Sequence, residues 1–119
     1  DVCSSDLTLV KEKLGSEQLR YSFGKEKNIH KVAVCGGNGT ELISKAISVH
    51  ADAFVTSDIT YHLFHDAEKK ILLIDAGHYE TERPILNSVK DYLSKAFAEK
   101  KTSIEIHIAN TKTSAIHWV

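Results

Sequence analysis

The chain has 119 residues, of which 42% are hydrophobic and 26% charged, with a formal net charge of -1. That length suits one domain whose core needs no staples, and the near-neutral charge excludes a global field that would recruit nucleic acid or an anionic membrane. No apolar run approaches the ~18 residues of a membrane span, and Cys3 and Cys35 make no disulfide framework, so the cytoplasm is the default compartment.

Residues 1–7, Asp-Val-Cys-Ser-Ser-Asp-Leu, carry no basic n-region and no apolar h-region of a signal peptide. They read as translated adapter sequence rather than native chain, so Cys3 stays outside any functional argument and the native protein is expected to be longer at its N-terminus. Leu7, Val10 and Leu14 fall on one face of a short helix that Gly15 stops. Residues 1–18 are therefore set apart from an α/β domain expected over 19–119. Leu19 to Phe23 alternates, which predicts a strand with Leu19, Tyr21 and Phe23 inward, and Gly24 to His30 is a charged connection.

Lys31 to Cys35 reads as a central strand. Gly36-Gly37-Asn38-Gly39 follows at once, and Leu42, Ile43, Ala46 and Ile47 then recur at helical spacing. Asn38 suits an N-cap, with Glu41 three residues on. Strand, glycine loop and helix can form an anion cradle, or simply a tight turn in which one of Gly36, Gly37 and Gly39 takes φ > 0. Strands are predicted near 31–35, 53–56, 71–75 and 103–109, with helices near 40–49, 59–69 and 82–100. On the second of these helices, His62 and His65 are three apart and His62 and Asp66 four apart. The third carries a stripe of Ile85, Leu86, Val89, Tyr92, Leu93, Ala96 and Phe97, and is expected to pack on the sheet. Thr102 to Ala109 alternates, with Ile104, Ile106 and Ile108 inward.

The most informative stretch is Ile71-Leu-Leu-Ile-Asp-Ala-Gly-His-Tyr-Glu-Thr-Glu82. Its apolar half predicts a strand buried on both faces. Gly77 permits a sharp turn, and Pro84 can open a helix. The alternation of strands and helices gives an α/β fold with a mostly parallel sheet and helices packed on it. Ligands bind at the carboxyl ends of such strands, which is where His78 and Glu82 stand. One imidazole and one carboxylate suit Zn, Mn or Fe. They equally suit metal-free acid–base work or a surface ion pair. Two ligands are too few for a catalytic zinc, and Asp58, Asp75, His62 and His65 are the candidates to complete a set.

Three segments in order, Val32-Ala-Val-Cys-Gly-Gly-Asn-Gly39, Ala51-Asp-Ala-Phe-Val-Thr-Ser-Asp-Ile-Thr-Tyr-His-Leu-Phe-His-Asp-Ala67 and Leu73-Ile-Asp-Ala-Gly-His-Tyr-Glu-Thr-Glu82, resemble the family named for the NGG-one-interacting factor three. Its bacterial members are known as GTP cyclohydrolase I type 2 homologues. The resemblance covers residues 19–119 and implies one domain of a two-domain α/β fold, with two divalent metal ions (Zn, Mn or Fe) in the cleft between domains. It implies that the His-x-x-x-Glu motif, His78 and Glu82 here, ligates those ions. The family's other ligands, a histidine pair and an aspartate, lie in its N-terminal half, and no matching His-His pair stands in this chain, so the resemblance implies that the site it carries is incomplete. By the same resemblance His65 lines the cleft and is the candidate catalytic residue, and the protein forms a ring-shaped homohexamer.

Two functions follow as expectations. One is a metal-dependent hydrolase or cyclohydrolase acting on a nucleotide-like small molecule, with this chain inactive on its own. The alternative is a non-enzymatic metal-binding or regulatory protein. Neither reading involves a membrane or a nucleic acid.

Overall fold

A computed structural model describes residues 2–25 and 28–119. Asp1 of the N-terminal segment, and Glu26 and Lys27 of the charged connection, lie outside them. The elements are α1 (Val2–Leu14), β1 (Arg20–Ser22), β2 (Val32–Asn38), a 3-10 turn (Thr40–Leu42), α2 (Ile43–Ser48), β3 (Ala53–Ser57), α3 (Tyr61–Ala67), β4 (Leu72–Asp75), α4 (His78–Glu82) and α5 (Ile85–Glu99). Four strands form one sheet in the order β1-β4-β3-β2. β2, β3 and β4 run parallel, in a register that sets Val32 beside Ala53 and Ala53 beside Leu72. β1 is antiparallel to β4.

The two central strands explain themselves. β3 is buried at every position, and so is the run from Ile71 to Ala76. A strand covered on both faces needs apolar side chains pointing both ways, which is what a continuous apolar run supplies. On one face Phe54, Ile71 and Leu73 meet Ile43 and Ala46 of α2 and Ala67 of α3. On the other, Ala53, Val55, Leu72 and Ile74 lie under Leu7, Val10 and Leu14 of α1. The Ser16 hydroxyl donates to the carbonyl of Ala76 (2.8 Å), tying the end of α1 to the end of β4. No helix among the described residues is long and apolar enough to cross a membrane.

Four expectations are corrected. β2 is an edge strand rather than a central one, and Val34 is 75% exposed. On that side α1 leaves an apolar groove of about 270 Å³, lined by Leu9, Val10, Val32 and Val34 among others. β1 is shorter than its alternation suggests, and Tyr21 and Phe23 are exposed, meeting each other edge-on at 5.4 Å between ring centroids. As the other edge of the sheet, β1 has a neighbour on one side only.

Residues 103–109 form no strand among the described residues. Alternation fixes which side chains share a face, but a ladder also needs a partner edge. Here Ile106 and Ile108 turn to α5, where with Ile85, Leu86, Val89 and Leu93 they line a groove of about 570 Å³. Finally, α5 starts at Ile85, with Glu82 in the separate α4, and carries the predicted stripe but does not pack on the sheet. None of its residues is buried, and Ile85 and Tyr92 are 60% and 74% exposed. Both sheet faces are already occupied by α1 and by α2 with α3, so the stripe finds no sheet surface to cover.

Candidate functional site

Three loops meet at the carboxyl end of the parallel strands: the glycine turn closing β2, the Ser57-Asp58 turn after β3, and the Ala76-Gly77 turn after β4. Gly77 has φ +92 and swings the chain directly into α4. That one-turn helix presents His78 and Glu82 on the same side, as spacing of four requires. His78 Nε2 and Glu82 Oε1 are 3.2 Å apart. On the other edge of the ring, His78 Nδ1 is 2.7 Å from Asp58 Oδ2. The three side chains are roughly half exposed, so the group is an open rim rather than a buried pocket.

The glycine turn closes over this rim. Gly37 has φ +65, as expected for at least one glycine here. A Cβ at that position would stand 2.5 Å from Glu82 Oε1 and 3.2 Å from His78 Nε2. The missing side chain is therefore also the space in which the imidazole and carboxylate converge. Two threonines hold the turn. The buried Thr56 hydroxyl donates to the Gly37 carbonyl (3.0 Å) and accepts from the Gly39 N–H (2.8 Å). The Thr81 hydroxyl accepts from the Gly37 N–H at 2.9 Å.

Those bonds also decide the anion cradle. The N–H groups of Gly37 and Gly39 are used by threonines, and that of Thr40 donates to Asn38 Oδ1 at 3.0 Å. Donors satisfied within the turn are not aimed at a ligand. The turn builds the site by close approach, and Asn38 bonds the N–H of Thr40 within the 3-10 turn while Gly39 sits at its N-cap.

The remaining candidates separate. Asp75 is buried and committed to structure. Its Oδ2 accepts from Arg20 and from the Ile59 N–H, and its Oδ1 from the Gly77 N–H. His62 and His65 lie exposed on α3, each edge-on to Tyr61. Among the described residues, His65 makes no hydrogen bond or ion pair with His78, Asp58 or Glu82, and no three His, Cys, Asp or Glu side chains form a metal cage. Thr56 and Thr81 were missed as site residues. The available signal was a polar residue following the apolar run Ala53-Phe-Val55 of β3 at Thr56, and the position between the two ends of the His-x-x-x-Glu motif at Thr81.

Electrostatically the site favours a cation. The hydrogen bond His78 donates to Asp58 holds the His78 pKa above the usual imidazole value, against the opposing effect of burial and with smaller help from the charges of Asp58 and Glu82.

The Duf34/NIF3 (NGG1p interacting factor 3) family matches residues 4–115. The chain belongs to this family. Its relatives include a Campylobacter jejuni protein named GTP cyclohydrolase 1 type 2 homolog, 37% identical over 103 residues, covering 86% of this chain and 38% of that protein. The crystal structure of Staphylococcus aureus protein SA1388 superposes with a TM-score of 0.83 at 30% identity, over 92% of this chain and 31% of that one. A Bacillus cereus protein related to NIF3 gives a TM-score of 0.81 at 32% identity, over 92% and 30% of the two chains. The chain thus spans about a third of the length of the NIF3 relatives it matches.

The donor pair fits a metal. Two ligand atoms about 2.0–2.1 Å from one tetrahedral ion stand roughly 3.3–3.4 Å apart. The observed separation of His78 Nε2 and Glu82 Oε1, 3.2 Å, is close to that spacing.

Proposed function

We propose that His78 and Glu82 are this chain's contribution to a dinuclear divalent-metal centre, and that the longer protein is a metal-dependent hydrolase or cyclohydrolase acting on a nucleotide-like small molecule. The observation that carries the reading is the convergence of an imidazole nitrogen and a carboxylate oxygen over a glycine whose missing Cβ leaves room for both at this spacing. A divalent ion held by His78 and Glu82 would supply Lewis acidity and would activate water at neutral pH. The chain's own part is to hold two donors at ligand spacing, clamp the turn above them through Thr56 and Thr81, and keep the rim open to solvent. Asp75 takes no part, being spent on Arg20 and two backbone amides.

Two donors bind an ion weakly, because structural zinc sites use four protein ligands and catalytic ones three. Tight binding therefore calls on an aspartate and imidazoles from elsewhere in the protein, and His65 becomes the group to test for proton transfer. The same reading has a cytoplasmic protein that works as a homo-oligomer, a ring-shaped hexamer.

Calorimetric titration of Zn into the chain tests the donor pair, with His78→Ala and Glu82→Gln beside the parent. Weak binding by the parent that either substitution abolishes is the expected result. Variants that bind as well as the parent, or a parent as tight as a four-ligand zinc site, would contradict it. Nucleotide turnover by the longer protein loaded with Zn, Mn or Fe then separates a hydrolase from a protein that only binds metal.

A further inference from the structure

We infer that Asp58 is a positioning residue: it holds the His78 proton on Nδ1, so that Nε2 is the bare nitrogen turned toward Glu82. The inference rests on the metal reading for its purpose but not for its geometry.

The imidazole lies between two carboxylates, Asp58 Oδ2 at 2.7 Å from Nδ1 and Glu82 Oε1 at 3.2 Å from Nε2. A neutral ring has one N–H, so one of these contacts is a hydrogen bond and the other sets a lone pair against a carboxylate oxygen. The distances choose between them. A separation of 2.7 Å is that of a charge-assisted N–H···O bond, whereas 3.2 Å is the long edge of the range. Placing the proton on Nε2 would press the Nδ1 lone pair against Asp58 at the shorter distance. The proton therefore belongs on Nδ1, and the Nε2 lone pair faces Glu82 across the space under Gly37, where a cation turns two opposed acceptors into two ligands. A carboxylate on the far nitrogen is how ligating histidines are usually oriented.

The backbone around Asp58 shows the same commitment. Asp58 has φ +58, a left-handed conformation uncommon for a residue with a side chain. It is held there from both sides. Ser57 pairs with Asn38 across the β2–β3 ladder, and on the other side the Ile59 N–H donates to Asp75 at 3.1 Å and the Ile59 carbonyl accepts from Arg20 at 3.0 Å. Asp58 is thus fixed between two pinned residues, and its carboxylate reaches across to the start of α4.

The left-handed backbone also chooses the variants. Asp58→Gly removes the carboxylate while tolerating the conformation, and Asp58→Asn tolerates it and keeps an acceptor. The readout is the ring ¹⁵N spectrum of His78 in the metal-free chain, at a pH where the ring is neutral. The parent should show the Nδ1–H tautomer. Asp58→Gly should move the proton to Nε2, since Glu82 is then the one carboxylate at the ring, and Asp58→Asn should restore Nδ1–H. Zinc affinity should fall about 10–100-fold in Asp58→Gly and less in Asp58→Asn. An Nε2–H tautomer in the parent, or Nδ1–H persisting in Asp58→Gly, would overturn the inference. The expected tautomers in a chain whose parent takes up no zinc would support the orienting role and contradict the metal reading.

Discussion

Residues 32–82 and residues 83–119 have equally regular hydrophobic patterns but different fates. In the first region, β3 and β4 are buried throughout and the loops at their carboxyl ends are cross-linked by Thr56, Thr81 and Asp75. In the second, α5 buries none of its residues and the alternating segment after it joins no sheet. The pattern specifies the local conformation in both. What differs is the partner surface: β4 has strands on both sides and helices on both faces, while α5 lines open grooves with the tail and with the end of α1 and buries no residue against them.

This contrast predicts a steep difference in what substitutions cost. Leu73→Ala, at a position with no exposure, should destabilise the chain by about 2–5 kcal/mol in urea or thermal unfolding. Val89→Ala or Tyr92→Ala on α5 should stay within about 0.5 kcal/mol. An α5 substitution that cost as much as Leu73→Ala would mean the stripe is covered, and the comparison would fail.

Thr56→Val sharpens the account of the clamped region. It keeps the shape but leaves the Gly37 carbonyl and the Gly39 N–H without their partner. Each orphaned buried group costs about 1–3 kcal/mol, so unfolding should report a loss of about 2 kcal/mol or more. A neutral Thr56→Val would show that the turn does not depend on that hydroxyl.

The glycines allow a matched pair. Gly15 and Gly37 both have φ near +65, but a Cβ at Gly15 meets nothing within 4 Å, while one at Gly37 meets Glu82 and His78. Backbone strain should cost each Gly→Ala variant about 1–2 kcal/mol. Weak zinc binding should disappear only in Gly37→Ala, because only there does the new methyl enter the donor space. Equal loss in both would trace the effect to folding rather than to the site.

How much of this was legible before the structure follows the same division. The strand at 71–75, the turn at Gly77 and the positive φ within the glycine run are set by short-range chemistry, and the sequence carries it openly. The edge position of β2 was not legible, because Val32-Ala-Val-Cys35 has the composition of a central strand and only the missing neighbour makes it an edge. The strand expected at 103–109 failed for the same reason. At the site, a spacing of four predicts that His78 and Glu82 share a face. Asp58 is twenty positions away and reaches Nδ1 only because β3 and β4 are neighbours in register, so spacing alone could raise it no higher than a candidate. Thr56 and Thr81 carried only a weak signal, a polar residue late in a buried strand and a position inside the His-x-x-x-Glu motif, and neither told a turn-clamping hydroxyl from any other threonine.

The smallest expected effect is one of pH. Asp58, and to a lesser degree Glu82, raise the His78 pKa in the folded chain above its ordinary value near 6.5. The imidazolium thus adds stability that is fully present below the ordinary pKa and is lost as pH rises through the folded one. The side chain is 46% exposed, so solvent screens most of this and unfolding should change little across that window. An NMR titration of the His78 ring should nevertheless give a midpoint above the ordinary imidazole value, and Asp58→Asn should bring it down. A His78 midpoint at or below the ordinary imidazole value would contradict the arrangement of carboxylates around the ring.

The central claim is that His78 and Glu82 are ligands to one ion. X-ray absorption at the zinc edge tests it most directly, on the Zn-loaded chain beside its His78→Ala variant. The account predicts a shell of nitrogen and oxygen at about 2.0–2.2 Å with the outer scattering of one imidazole, and loss of that outer scattering in the variant. Sulfur at about 2.3 Å from Cys35, or imidazole scattering that survives the substitution, would place the ion elsewhere and contradict it.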